Sequence, residues 1–130
     1  MLPLAEGRCF RIQIEDDIVL STLWGEGDTP DVEEYVAALV PILQMRAPAC
    51  VLTDATDIED LTLRARWVYA QKMTEHRRFI SRSAVIGLSP RMDVVLRVLV
   101  RASGRSDLRV FFSRREAMIW LREGLPARRV

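Results

Sequence analysis

The sequence predicts an α/β domain: a mixed, largely parallel five-stranded sheet with four helices, in the order β-β-α-β-α-β-α-β-α. Three observations carry this. An alternating β-rich hairpin opens the chain, short apolar runs then alternate with stretches of helical periodicity, and Thr29-Pro30, Ser89-Pro90 and Ser113-Arg-Arg-Glu116 mark helix starts. A length of 130 residues suits a single domain spanning 1–130. A chain of this size buries roughly two-thirds of its unfolded surface and needs no disulfide or metal staple.

The hairpin runs from Cys9 to Ile14, turns at Glu15-Asp16-Asp17 and returns over Ile18–Trp24. Gly25–Asp28 reads as a loop. Thr29 then fits an N-cap with Pro30 at the first helical position, where its missing N–H costs nothing. Val32, Tyr35, Val36, Leu39 and Leu43 recur at helical spacing and should face the sheet. Pro41 should kink this helix or end it. Ala49–Ala55 reads as a central strand, Leu61–Arg78 as a second helix and Ile80–Gly87 as a strand. Ser89 opens a third helix that Gly104 should close in the left-handed conformation. Leu108–Phe112 is the last strand, and Ser113 caps a final helix through Trp120 and Leu121. The tail from Pro126 to Val130 should fray.

Several function classes find no support. No apolar run reaches the ~18–20 residues a membrane span needs, and no signal peptide is visible at the N-terminus. Cys9 and Cys50 fit no zinc or redox spacing. They read as two buried, reduced thiols, which implies a cytoplasmic protein. Net charge is +1, yet residues 1–79 carry 8 basic and 14 acidic groups and residues 80–130 carry 11 and 4. Halves of one domain interleave, so this imbalance should neutralise across the fold rather than make a nucleic-acid face. All basic residues but Lys72 are Arg, which reads as compositional bias.

In an open α/β sheet, ligands sit beyond the carboxyl ends of the strands. Here that rim holds Asp54, Thr56, Asp57 and Asp60 after the central strand, Ser89 and Arg91 after the next, and Ser113 after the last. A partner or small ligand could dock there. Alternatively Asp60, Ser89 and Ser113 only cap helices and Asp54 accepts from loop amides. Catalysis finds no footing: the lone His76 sits late in a helix beside Arg77 and Arg78, where a cation suits the dipole, and no phosphate-binding or nucleophile motif occurs. No cofactor or metal is expected, since no His/Cys cluster exists. In the second helix Leu61, Ala65, Val68, Tyr69 and Met73 form the inward stripe; in the third, Met92, Val95, Leu96 and Leu99 do. Trp67, Val94 and Val98 fall off these stripes. Neighbouring helices could bury them; otherwise they mark a homodimer or partner contact, or a lipid-facing apolar groove between the two helices.

The stretches Val51–Ile58, Arg82–Pro90 and Arg109–Leu121 resemble the SpoIIAA-like group, small bacterial proteins allied to the anti-sigma-factor antagonist (STAS) domain and, in fold, to CRAL-TRIO lipid-transfer domains. The likeness spans about Phe10 to Leu121. It implies a five-stranded mixed sheet with helices and no enzyme activity. In the antagonist family a serine at the start of the second helix, within Asp-Ser-Ser-Gly, is phosphorylated by the partner kinase. The matching stretch here is Glu59-Asp60-Leu61-Thr62. The acceptor position is Leu61, the Gly is absent, and Thr62 is the nearest hydroxyl. Asp57, Glu59 and Asp60 would repel a phosphate there. The expected function is therefore a non-enzymatic, protein-binding or regulatory module without the phosphorylation switch. The alternative is a carrier or sensor of a small apolar or lipid ligand.

Overall fold

The computed structural model of the protein describes residues 4–104 and 106–126. Six strands form one sheet in strictly sequential order: β1 (Ala5–Glu6), β2 (Phe10–Glu15), β3 (Ile18–Gly27), β4 (Ala49–Leu61), β5 (Ile80–Ile86) and β6 (Leu108–Val110). The helices are α1 (Thr29–Arg46), α2 (Leu63–Glu75), α3 (Pro90–Ser103) and α4 (Arg114–Glu123). β1, β2 and β3 pair antiparallel, and β3 to β6 pair parallel. The sixth strand, β1, is an addition to the expected five. Two residues are too few to show alternation, and Ala5 is held by its pairing opposite Ile12.

The hairpin turn is Asp16-Asp17, both at positive φ (51° and 65°). That geometry matches the right-handed twist of the flanking strands, and Asp tolerates it better than most residues. Right-handed crossovers place the helices that link parallel strands on one face. There α1 and α2 bury Val32, Tyr35, Val36, Leu39, Leu43 and Ala65 against Phe10, Ile12, Val19 and Val51. The other face is closed by α4, whose Ala117, Met118, Trp120 and Leu121 cover Ile18, Leu20, Cys50, Leu52, Ala84 and Ile86. The two faces alternate along β3 and β4, as a strand covered on both sides requires.

Several boundaries differ from expectation for local physical reasons. α1 is capped by Asp28, not Thr29: the Asp28 side chain accepts from the Thr29 amide, and Asp31 accepts from the Asp28 amide in a reciprocal capping box. The helix continues through Pro41 to Arg46, giving up the bond that a proline nitrogen cannot make. α2 begins two residues late, at Leu63, and ends in a short 3-10 turn at Arg77–Phe79. β6 stops at Val110, leaving Phe112 exposed. Cys9 precedes β2 and is only half-buried, whereas Cys50 is buried; both are free thiols. Ser89, Gly104 and Ser113 cap their helices as expected. Residues 127–130 of the expected frayed tail lie outside the described residues.

Candidate functional site

The loop expected at Gly25–Asp28 and the acidic loop after Ala55 are one structure. β3 continues to Gly27 and β4 to Leu61, and the two pair in parallel beyond the sheet: Trp24 opposite Asp57, Gly25 opposite Ile58, Glu26 opposite Asp60 and Gly27 opposite Leu61. Irregularities at Thr22/Trp24 and Gly25/Glu26 add twist and re-aim side chains. This two-stranded ribbon carries the exposed carboxylates of Glu26, Asp57, Glu59 and Asp60.

The ribbon splits the expected rim in two. At its base, Asp54 accepts from the Thr56 amide at 3.0 Å and the Thr56 hydroxyl at 2.5 Å, the self-contained turn that Asp favours. Gly87, at φ +80°, lies against Thr56, and a Cβ there would come within 2.5 Å of the Thr56 amide nitrogen. Only glycine combines that conformation with that approach. Ser89 follows and accepts from the Met92 amide, and Arg91 is exposed.

At the far end, about 20 Å along an extended strand, Thr62 caps α2. Its hydroxyl accepts from the Ala65 amide at 3.2 Å and donates to Asp28 Oδ1 at 2.9 Å. Asp60 does not cap; it pairs with Arg66 at 3.5 Å. Arg8 completes the string, reaching Asp31 with two bonds at 2.9 and 2.7 Å and the Glu26 carbonyl at 2.8 Å. The amide of Thr29 and the hydroxyl of Thr62 hold the Asp28 carboxyl below the usual range, and Arg8 with the Asp28 amide does the same for Asp31. Asp28 and Asp31 lay outside the expected site, although Asp28-x-x-Asp31 is a legible capping-box spacing.

Between the ribbon, α1 and α2 lies a small apolar chamber of about 50 Å³, lined by residues that include Phe10, Leu23, Val32, Ile58 and Leu61. Tyr35 and Tyr69 stack at its base with ring centroids 6.2 Å apart. The Tyr35 hydroxyl donates to the fully buried Ser21 at 2.7 Å, and Thr53 serves both tyrosines. Burial raises both phenols above their ordinary range. Sequence reasoning missed this cluster; its signal was Ser21 and Thr53 interrupting otherwise apolar strand segments.

The three apolar contact candidates are exposed: Trp67 63%, Val94 60% and Val98 61%. They do not share one surface with a groove between α2 and α3. Val94 and Val98 line a broad groove of about 760 Å³ between α3 and β6, together with Arg97, Arg101 and Arg109. Val95, expected to face inward, is 45% exposed; among the described residues the main contact of α3 is with the short edge strand β6. The side chain of Leu99 lies outside the described residues.

Among the described residues no group of His, Cys, Asp and Glu is placed to hold a metal ion, and no helix is long and apolar enough to cross a membrane. His76 Nδ1 lies 2.9 Å from the Lys72 carbonyl at the end of α2, a helix-terminal contact.

The SpoIIAA-like family model matches residues 19–122, and the chain belongs to that family. No curated protein matches the sequence. Among solved structures, it is similar to an uncharacterized protein with a SpoIIAA-like fold from Shewanella loihica PV-4 (22% identity, TM-score 0.69, 90% of this chain and 98% of that one). It is also similar to the anti-sigma factor antagonist SpoIIAA in its unphosphorylated form (17%, 0.64, 87% and 97%). A third is an anti-sigma-factor antagonist (STAS) domain protein from Planctomyces limnophilus (17%, 0.60, 87% and 97%). At these identities the likeness establishes the fold, which is the SpoIIAA/STAS arrangement with six strands and four helices.

Proposed function

We propose that this protein is a non-enzymatic regulatory module that binds a protein partner through the ribbon and the start of α2, without a phosphorylation switch. The observation that carries the reading is the Thr62 hydroxyl. It is committed twice, as cap to α2 and as donor to Asp28, so it is not poised to accept a phosphoryl group. A phosphate bearing about −1.5 to −2 charges would face the Asp28 carboxylate in place of that bond, with Asp60 near by. The rim residues Asp54, Thr56, Asp57, Asp60 and Thr62, with Ser89 and Arg91, are the proposed contact. The anti-sigma-factor antagonists among the similar structures support a protein as the partner. The free thiols of Cys9 and Cys50 support a cytoplasmic setting.

The carrier reading draws less support. The chamber of about 50 Å³ has room for only a few waters, at roughly 10–15 Å³ of such volume each, so an apolar ligand would have to occupy the open α3–β6 groove of about 760 Å³, which Val94 and Val98 line without Trp67.

The test is isolation of the tagged protein from its native host. We expect a stoichiometric partner that is lost in Asp57→Lys/Glu59→Lys, and an intact mass with no phosphate. A substantial singly phosphorylated fraction mapped to Thr62 would restore the switch, and a co-purifying small molecule of a few hundred daltons without a partner would favour the carrier.

A further inference from the structure

The helices are not held equally. α1 buries five side chains in the core and α4 four, whereas α2 buries Ala65 alone. Val68, Tyr69 and Met73 pack on the same core but stay half-buried. The main contact of α2 is with α1 and not with the sheet. Apolar burial sets how firmly a helix docks, so α2 rests on α1 as a lightly held outer layer.

Its two ends differ. At the far end the 3-10 turn follows at once, and Phe79 packs against the core. The start is tied by polar groups instead. The Thr62 hydroxyl donates to Asp28 Oδ1 at 2.9 Å, the Thr62 amide donates to the Gly27 carbonyl at 3.2 Å, and Arg66 meets Asp60 at 3.5 Å. Asp28, Asp60 and Thr62 are exposed, so water competes for these bonds. Next to this start lies the chamber of about 50 Å³, which Leu61 and Tyr69 line from one side and Phe10, Val32 and Tyr35 from the other. Side chains that face a void forgo part of their packing contacts, so the seam between α2 and the core is incompletely closed.

We propose that α2 is a hinged lid over this chamber, latched at its start by the bond between Thr62 and Asp28. When the latch breaks, the helix swings out about the 3-10 turn and parts Tyr69 from Tyr35, while the sheet, α1 and α4 stay in place. Sub-global openings of this kind fall on elements with few buried apolar contacts. The lid is a property of this chain alone and does not rest on which partner the rim binds.

Thiol labelling across a urea series tests it, in a Cys9→Ser background that removes the half-buried thiol. Ala65→Cys puts a reporter on the buried face of α2, and the fully buried Cys50, packed with α4, reports global unfolding. Without urea, position 65 should label at least about tenfold faster than Cys50. Its urea dependence should be shallow, because a swinging helix exposes little surface, and the two rates should converge near the unfolding midpoint. Thr62→Ala should speed labelling at position 65 by about 2- to 30-fold, as loss of a cap implies, and Thr62→Ser should restore most of the original rate. Position 65 tracking Cys50 at every urea concentration overturns the proposal. So does a rate at position 65 that Thr62→Ala leaves unchanged. Where Ala65→Cys does not fold, fluorotyrosine at Tyr35 and Tyr69, the chain's two tyrosines, reads the same opening by fluorine NMR. Exchange broadening or a second set of signals that grows in Thr62→Ala is then expected, and signals that Thr62→Ala leaves unchanged overturn the lid.

Discussion

Thr62 donates its hydroxyl to Asp28 Oδ1 at 2.9 Å, so the cap of α2 is tied to the cap of α1. One side chain thus serves two helices that start from neighbouring parallel strands. Thr62→Ala removes both the bond to Asp28 and the acceptor for the Ala65 amide. Loss of a cap typically costs about 0.5–2 kcal/mol, and we expect about 1–2 kcal/mol by urea unfolding. Thr62→Ser keeps the hydroxyl and should recover most of that. If the serine variant is as unstable as the alanine one, the methyl group and not the cap is what matters.

Asp28 and Asp31 should shape the acid limb of stability. Both carboxyls are held below their unfolded values, so their contribution is present above the unfolded aspartate range near pH 3.9. It is lost as pH falls through the lower folded values. Asp31→Asn should flatten this limb when unfolding is followed from about pH 5 downward. An unchanged slope would show that Arg8 and the Asp28 amide do not favour the ionised form.

Tyr35 and Tyr69 act at the opposite end. Their phenols are raised by burial, which favours the neutral form in the folded state. Stability should hold below the unfolded tyrosine range near pH 10 and decline as pH rises beyond it. Tyr35→Phe leaves the buried Ser21 hydroxyl without its donor. A stranded buried group costs about 1–3 kcal/mol. Adding Ser21→Ala should recover part of this, and strict additivity of the two changes would argue against a shared bond.

Trp67→Ala is expected to leave stability nearly unchanged. At 63% exposure the ring contributes little to the core, and surface substitutions usually fall within about 0.5 kcal/mol. A loss of the size expected for a buried tryptophan, about 3–5 kcal/mol, would show that the ring is covered in solution.

Elements with a strong period were legible in the sequence. All five residues of the α1 stripe are buried because helical spacing reports which side chains share a face. The ribbon was not legible. Gly25-Glu26-Gly27 and Asp57-Ile-Glu-Asp60 have loop composition, and backbone pairing between two strands needs no side-chain signature. The N-cap fell one residue early because Asp28 and Thr29 are both competent caps and only Asp28 has a reciprocal partner in Asp31. Val95 was misplaced for a different reason. Periodicity gives the face of α3 but not the width of sheet beneath it, and its main support is a strand of three residues, β6. Of the site, the caps at Ser89 and Ser113 could be read locally. The Asp28–Thr62 contact joins residues 34 apart and could not.

The sheet runs β1 to β6 in chain order, which bears on how the molecule assembles in time. No strand has to be threaded between two that are already joined. Each newly formed strand meets its neighbour after closing a single connection, whose entropic cost grows only slowly with length. The antiparallel hairpin, with the shortest closure, is the natural first step, and the parallel strands can accrete onto it one by one. Run backwards, β6 can detach at the rim of the sheet while every other pairing persists. Amide exchange should therefore be faster at the edge strand Leu108–Val110 than where β3 meets β4.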